Sequence, residues 1–244
     1  MATRRHFPFL GWLSILNTLN FTYTLDMKSL VIFDLDGTLL NTIADLAHAA
    51  NYALDVCGYP THDIATYPFF VGNGVGRLLE RVLPPEHRDH ESVEYLRKIF
   101  QEYYDRHLWD YTVPYPGIED LLDDLASRGF KFAVASNKYQ AATSALVAHF
   151  FPRLPFESVH GMRQGVPAKP DPSIVFNILR DVPTPKAEVT YVGDSGVDIE
   201  TARRACVQSV GVTWGFRPVA ELRQYYAENI ISDPADLLRI VTNS

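Results

Sequence analysis

Leu30-Val31-Ile32-Phe33 is a continuous apolar run, and similar, largely apolar runs recur at residues 130–135, 189–192 and 207–212. Short runs of this kind mark strands buried on both faces of a sheet. Between them the apolar residues recur at helical spacing. Leu121, Leu122 and Leu125 share one face of a helix predicted over residues 118–127, and residues 141–150 and 174–179 follow the same rule. Strands alternating with helices predict an α/β fold, a Rossmann-like parallel sheet with helices on both faces.

Residues 42–113 break the alternation: they carry long helical patterns, including residues 92–108, and no convincing buried strand. Val113-Pro114-Tyr115-Pro116-Gly117 closes this segment as a Pro/Gly-rich hinge. The predicted organisation is a core of residues 27–41 and 114–244 with a helical cap, residues 42–113, inserted after the first strand. Upstream, Arg4, Arg5 and His6 precede a partly apolar stretch that Pro8 and Asn17 interrupt and no small-residue cleavage site follows, so it does not read as a signal peptide. Residues 1–26 are expected to be a dispensable extension, since Met27 stands just before the first strand.

Composition narrows the function classes. With 244 residues, 47% of them apolar and 21% charged, the chain has the makings of a sizeable core and is not disordered. A net charge of −7 argues against a general nucleic-acid binder, which needs a basic footprint. No run of 18 apolar residues is present to span a membrane. Cys57 and Cys206 lie far apart with no metal-ligand spacing, and are expected to be buried small apolar residues in a reduced, cytoplasmic protein.

The candidate chemistry gathers at predicted strand ends. Asp34 and Asp36 stand at the carboxyl end of the first strand, where ligands bind in open α/β sheets, and Gly37 permits the tight turn beyond. A second strand runs into Gly193-Asp194-Ser195-Gly196-Val197-Asp198, placing more carboxylates at the same edge. Carboxylates brought together repel unless a hard cation lies among them, and Mg²⁺ suits oxygen ligands. A third strand ends in Ser136-Asn137, expected at the start of a helix, where hydroxyl, amide and backbone N–H groups receive an anion. Lys169, in Ala168-Lys169-Pro170-Asp171-Pro172, adds a positive charge. A polar strand end before an Asp-Gly turn would explain the first pair alone; the other three groups shift the reading toward a site.

Asp34-Leu35-Asp36-Gly37-Thr38-Leu39-Leu40, Ser136-Asn137, Lys169-Pro170 and Gly193-Asp194 with Asp198 resemble the four motifs of the haloacid dehalogenase superfamily, in order and spacing, over about residues 28–242. Phe70-Val71-Gly72-Asn73-Gly74 followed by Leu78-Leu79-Glu80-Arg81, and Thr213-Trp214-Gly215-Phe216-Arg217-Pro218, are similar to phosphoglycolate phosphatases. The resemblance implies a Mg²⁺-dependent phosphatase acting on a small phosphomonoester, with 2-phosphoglycolate favoured. Asp34 is then the nucleophile that forms an aspartyl-phosphate, and Asp36 the general acid and base. Asp34, the backbone carbonyl of Asp36 and Asp194 would hold Mg²⁺, with Asp198 a further ligand or an outer partner. Thr38, Ser136, Asn137 and Lys169 would hold the phosphate.

A phosphomutase of the β-phosphoglucomutase type is the alternative on the same scaffold. The expected partner is a small phosphorylated metabolite, with no nucleic acid and no membrane, and the protein a monomer or homodimer. Asn41-Thr42 stands where the family frequently has Asp-Ser; both are good helix N-caps, so the cap helix is expected to open unchanged.

The remaining candidates carry ordinary readings beside the sharp ones. Gly72-Asn73-Gly74-Val75-Gly76 reads as a cap loop descending on the substrate, with Asn73 and Arg77 as contacts, although a plain turn with Arg77 in solvent fits the same residues. Tyr103, Tyr104, Leu108 and Trp109 are expected in the cap core. His149 and His160 are expected as surface or packing residues, and residues 86–98 as a solvated helix face.

Overall fold

The computed structural model describes residues 30–242, so the expectation for residues 1–26 lies outside the described residues. The first apolar run is β1 (Leu30–Phe33), buried at every position. A turn leads to β2 (Leu40–Asn41) and α1 (Ile43–Val56), then through a 3₁₀ turn (Ile64–Phe69) to α2 (Val75–Val82) and α3 (His90–Tyr104). The chain returns through β3 (Val113–Pro114) and α4 (Ile118–Ser127) to β4 (Lys131–Tyr139), α5 (Gln140–Phe150), β5 (Phe156–Met162) and α6 (Ser173–Asp181). It ends in β6 (Val189–Gly193), α7 (Gly196–Ala205), β7 (Gln208–Val212), α8 (Val219–Gln224), β8 (Asn229–Ile231) and α9 (Asp236–Thr242).

Six of the strands form one sheet in the order β5-β4-β1-β6-β7-β8, parallel throughout. Period-two alternation divides β1 between the two faces. Val31 and Phe33 join the core that includes α4 and the α1–α3 segment, while Leu30 and Ile32 pack in a second core with Ile174, Val175 and Ile178 of α6 and Ala202 and Ala205 of α7. Helices thus cover both faces, as the sequence pattern predicts.

Three features depart from the pattern. β5 and β8 have no continuous apolar run, because they are the sheet edges: β5 alternates in burial and β8 has only three residues. The Pro/Gly-rich hinge is half of a small antiparallel ribbon, with Leu40 opposite Pro114 and Asn41 opposite Val113. This ribbon ties together the two connections that lead to and from the α1–α3 segment.

The third departure is in β4. Ser136 and Asn137 are not at the start of a helix but within the last residues of β4, and α5 begins only at Gln140. The register with β5 shifts between Ala135 and Tyr139, which takes Ser136-Asn137-Lys138 out of the regular ladder. Cys206, expected to be buried, is exposed: it takes a left-handed conformation (φ 59°) as the residue that ends α7.

Candidate active site

Because β1 lies between β4 and β6, three segments far apart in sequence end side by side. This is where the strand order turns outward in both directions, the usual position of a ligand crevice in an open α/β sheet. Asp34 follows β1 and Asp194 follows β6, while Lys169 arrives on the loop between β5 and α6. All three are buried.

Lys169 organises this floor. Its ammonium donates to Asp34 Oδ1 at 2.8 Å, Asp198 Oδ1 at 2.7 Å and the Ala135 carbonyl at 2.9 Å, so all three N–H directions are used. Burial works against its charge, but Asp198 and Asp34 outweigh burial and hold its pKa well above the ordinary lysine value. Burial pushes the Asp34 carboxyl up to about 7; Lys169 opposes that rise, and Asp198 and Asp36 add to it. Asp194 is likewise held well above the usual carboxylate range, first by burial and then by Asp198 and Asp34.

Backbone geometry fixes Asp194 and Asp198. The Phe216 N–H donates to Asp194 Oδ2 at 2.6 Å. Gly37 has φ +92°, and a Cβ there would lie 2.5 Å from Asp194 Oδ2; a Cβ on Gly215 would lie 2.3 Å from the Asp194 Cβ. Glycine is therefore required at both positions for Asp194 to stand where it does. Asp198 forms a capping box with Ser195 at the start of α7. Ser195 donates to Asp198 Oδ2 at 2.5 Å, and Tyr191 and Lys169 both reach Oδ1.

One oxygen from each of Asp34, Asp194 and Asp198 lies within 4.8 Å of the others. With all three carboxylates ionised and the Lys169 charge included, this buried group would carry two negative charges, which is the charge state that burial and mutual repulsion oppose. A divalent cation that prefers hard oxygen ligands fits such a donor set. Both Asp198 oxygens are already hydrogen-bonded, whereas Asp34 Oδ2 and Asp194 Oδ1 have no hydrogen-bond partner among the described residues.

Asp36 faces the other way, toward the α1–α3 segment. Its Oδ1 accepts from Thr42 Oγ1 at 2.7 Å and lies 3.1 Å from Lys138 Nζ. Between the floor and that segment is a cavity of about 40 Å³ lined by the charged residues Asp34, Asp36, Lys138 and Lys169, by Ser136, and otherwise largely by apolar side chains.

Residues 31–212 match the haloacid dehalogenase-like hydrolase family. The chain belongs to this family. It is a hydrolase of the phosphoric monoester type that its named relatives represent. A phosphoglycolate phosphatase of Aquifex aeolicus is 31% identical over 213 residues, covering 87% of this chain and 96% of the relative. One from Pseudomonas fluorescens is 34% identical over 203 residues, covering 80% and 74%. A crystal structure from Lactobacillus delbrueckii subsp. bulgaricus, of a proposed phosphoglycolate phosphatase, superposes with a TM-score of 0.82 at 32% identity, covering 87% of this chain and 98% of its own.

Not every expected site residue of this hydrolase reaches the cavity. Thr38 is fully buried in the turn after Gly37, where its carbonyl accepts from the Trp214 indole at 3.0 Å and its hydroxyl has no partner among the described residues. Asn73 accepts from Arg81 at 2.7 Å, and Arg77 pairs with Glu80 at 2.6 Å with 64% of its side chain exposed. The exposed side of the first turn of α2 explains this: a neighbour three residues on takes up the Arg77 charge. Asn137 lines the cavity, but its side chain is engaged elsewhere. Its Oδ1 accepts from the Lys169 N–H at 2.9 Å, and its amide donates to the Lys169 carbonyl at 3.2 Å.

Other residues entered the site without a sequence expectation. Thr42, expected as a helix cap, makes no side-chain capping bond and turns its hydroxyl to Asp36 instead. Lys138 donates to Tyr104 Oη at 2.9 Å, so Tyr104 lies in the cap core as expected and also faces the site. Trp109, expected in that core, is 43% exposed and stacks on His149. Arg217 reaches across to the Pro68 carbonyl at 2.9 Å and the Val71 carbonyl at 2.7 Å, and Tyr139 donates to Asp105. The signal for Lys138 was a lysine continuing an otherwise buried strand directly after Ser136-Asn137; for Arg217 it was its place in the stretch of residues 213–218, which gave no role to its side chain.

Proposed function

We propose that this hydrolase is a Mg²⁺-dependent phosphatase of a small phosphomonoester, with 2-phosphoglycolate as the favoured substrate. The observation that carries the reading is the buried convergence of Asp34, Asp194, Asp198 and Lys169 beneath a cavity that Asp36 enters from the opposite side. The relatives named phosphoglycolate phosphatases support the substrate. The cavity, whose volume of about 40 Å³ is well below that of pockets for drug-sized ligands, supports a small ligand.

In this reading residues 42–113 are a cap domain on a core of residues 27–41 and 114–244. Asp34 Oδ2 bonds to phosphorus as the ester P–O bond breaks, giving an aspartyl-phosphate, and the Asp36 carboxyl gives its proton to the departing alkoxide. Asp36, now a carboxylate, takes a proton from the water that attacks phosphorus; inorganic phosphate leaves and Asp34 is regenerated. Lys169 holds Asp34 in place, and Asn137 fixes the Lys169 backbone. Asp194 Oδ1 offers a free oxygen for the metal, the Asp34 oxygen that does not attack phosphorus and the Asp36 carbonyl would be the other protein ligands, and Asp198 acts as the outer carboxylate that orients Lys169. Mg²⁺ bound there would neutralise the carboxylates and the phosphate oxygens and keep Asp34 ionised. Ser136 and backbone N–H groups at the end of β4 are left for the phosphate oxygens.

The same reading takes the protein to be cytoplasmic, a monomer or homodimer, with a small phosphorylated metabolite as its partner. Free cysteines at both positions support the compartment, and no helix among the described residues is long and apolar enough to cross a membrane.

The test is phosphate release from a panel of small phosphoesters, with Mg²⁺ or with EDTA, for the wild type and Asp34→Asn. The expected result is Mg²⁺-dependent release, with no requirement for a bisphosphate, that falls at least about 1,000-fold in the variant. Retained turnover in Asp34→Asn would overturn the covalent role, and transfer to a sugar phosphate in place of release would favour the mutase.

A further inference from the structure

Lys138 is the second lysine buried at the cavity, and the phosphoryl chemistry above leaves it without a task. It is 7% exposed, on the part of β4 that leaves the ladder. Tyr104 Oη at 2.9 Å and Asp36 Oδ1 at 3.1 Å account for two of its N–H directions. The third has no partner among the described residues, and the side chain lines the cavity. Lys169, by contrast, has all three donors committed to Asp34, Asp198 and Ala135. The same cavity is lined by the apolar residues Leu46, Val71, Val75, Leu78 and Phe100.

A buried ammonium with one carboxylate partner and an open donor, in a cavity with this apolar lining, is a receptor for an anion. We propose that Lys138 determines substrate specificity by receiving a carboxylate carried on the ester carbon itself. The inference rests on the phosphatase reading in one respect: Asp36 is taken to stand at the leaving oxygen. An anion within reach of both that oxygen and an ammonium 3.1 Å from Asp36 must be attached close to the ester. Phosphoesters of short 2-hydroxy acids have this form. Tyr104 holds the ammonium toward the cavity by its hydroxyl and by its ring, whose centroid lies 4.8 Å from Nζ.

The experiment compares kcat/KM for 2-phosphoglycolate, its neutral amide 2-phosphoglycolamide and p-nitrophenyl phosphate, in the wild type, Lys138→Met and Lys138→Arg. The wild type is expected to prefer the carboxylate over the amide at least about tenfold, the size of a hydrogen bond to a charged group. Lys138→Met should lose that preference, mostly through KM, and Lys138→Arg should keep part of it. Equal losses on carboxylate and amide in Lys138→Met would overturn the proposal and make Lys138 a partner of Asp36 alone. A wild-type preference below about twofold would overturn it with no variant needed. Turnover of p-nitrophenyl phosphate without a carboxylate preference would defeat this inference and leave the phosphatase reading intact; no turnover of any of the three would defeat both.

Discussion

On the floor of the cavity, Asp34, Asp194, Asp198 and Lys169 are held by bonds within the α/β core, whereas the opposite wall is assembled from pieces of two regions. There, Asp36 and Lys138 of the core meet Thr42 and Tyr104 from the α1–α3 segment, and Arg217 grips carbonyls of its loop. The floor is a set of charges whose positions the sheet dictates. The wall depends on how the helical segment sits. An electrostatic centre held within the core is thus paired with a surface that can be altered without disturbing it.

If this contrast is right, damage to the floor should act on turnover and damage at the wall on affinity. After Asp34→Asn, the largest effect is expected for Lys169→Ala. It leaves Asp34 and Asp198 buried without their shared counter-charge, and truncating one partner of a buried hydrogen-bonded ion pair costs about 2–5 kcal/mol. Steady-state assays should show kcat lower by at least about 100-fold; a change under tenfold would place Lys169 outside the site.

Arg217→Met should come next. It removes two charge-assisted bonds to the Pro68 and Val71 carbonyls while leaving the Asp194 contact, made by the Phe216 backbone, in place. A rise of about tenfold in KM with a smaller change in kcat is expected, measured on the best substrate. A pure kcat loss would mean that Arg217 supports the floor and would break the contrast.

Arg77→Ala marks the small end. The exposed pair with Glu80 contributes little, so kcat and KM should both stay within about twofold of the wild type. A tenfold rise in KM would restore Arg77 as a substrate contact and require a closer approach of α2 than the one seen here.

The legible part of the molecule was the part written in local patterns. β1, β6, β7, α4 and most of α5 and α6 followed from run length and period, because a strand buried on both faces is largely apolar along its length. The floor residues were legible for a related reason: a carboxylate just beyond such a strand has one edge of the sheet to stand on. β5 and β8 were not, since an edge strand does not need apolar residues on both faces. Thr42 and Asn137 were identified as polar groups in the right neighbourhood, but their bonds go to Asp36 and to the Lys169 backbone.

By itself, then, the sequence determined the order of the buried strands and the helices between them, the helical segment between the first strand and the rest, and the charged residues at the sheet's edge. The tertiary structure decided which of those side chains face the cavity. A polar side chain takes the partner that the rest of the fold brings within about 3 Å. That is how Arg77 was left to Glu80 and solvent, while Lys138 came to lie between Asp36 and Tyr104.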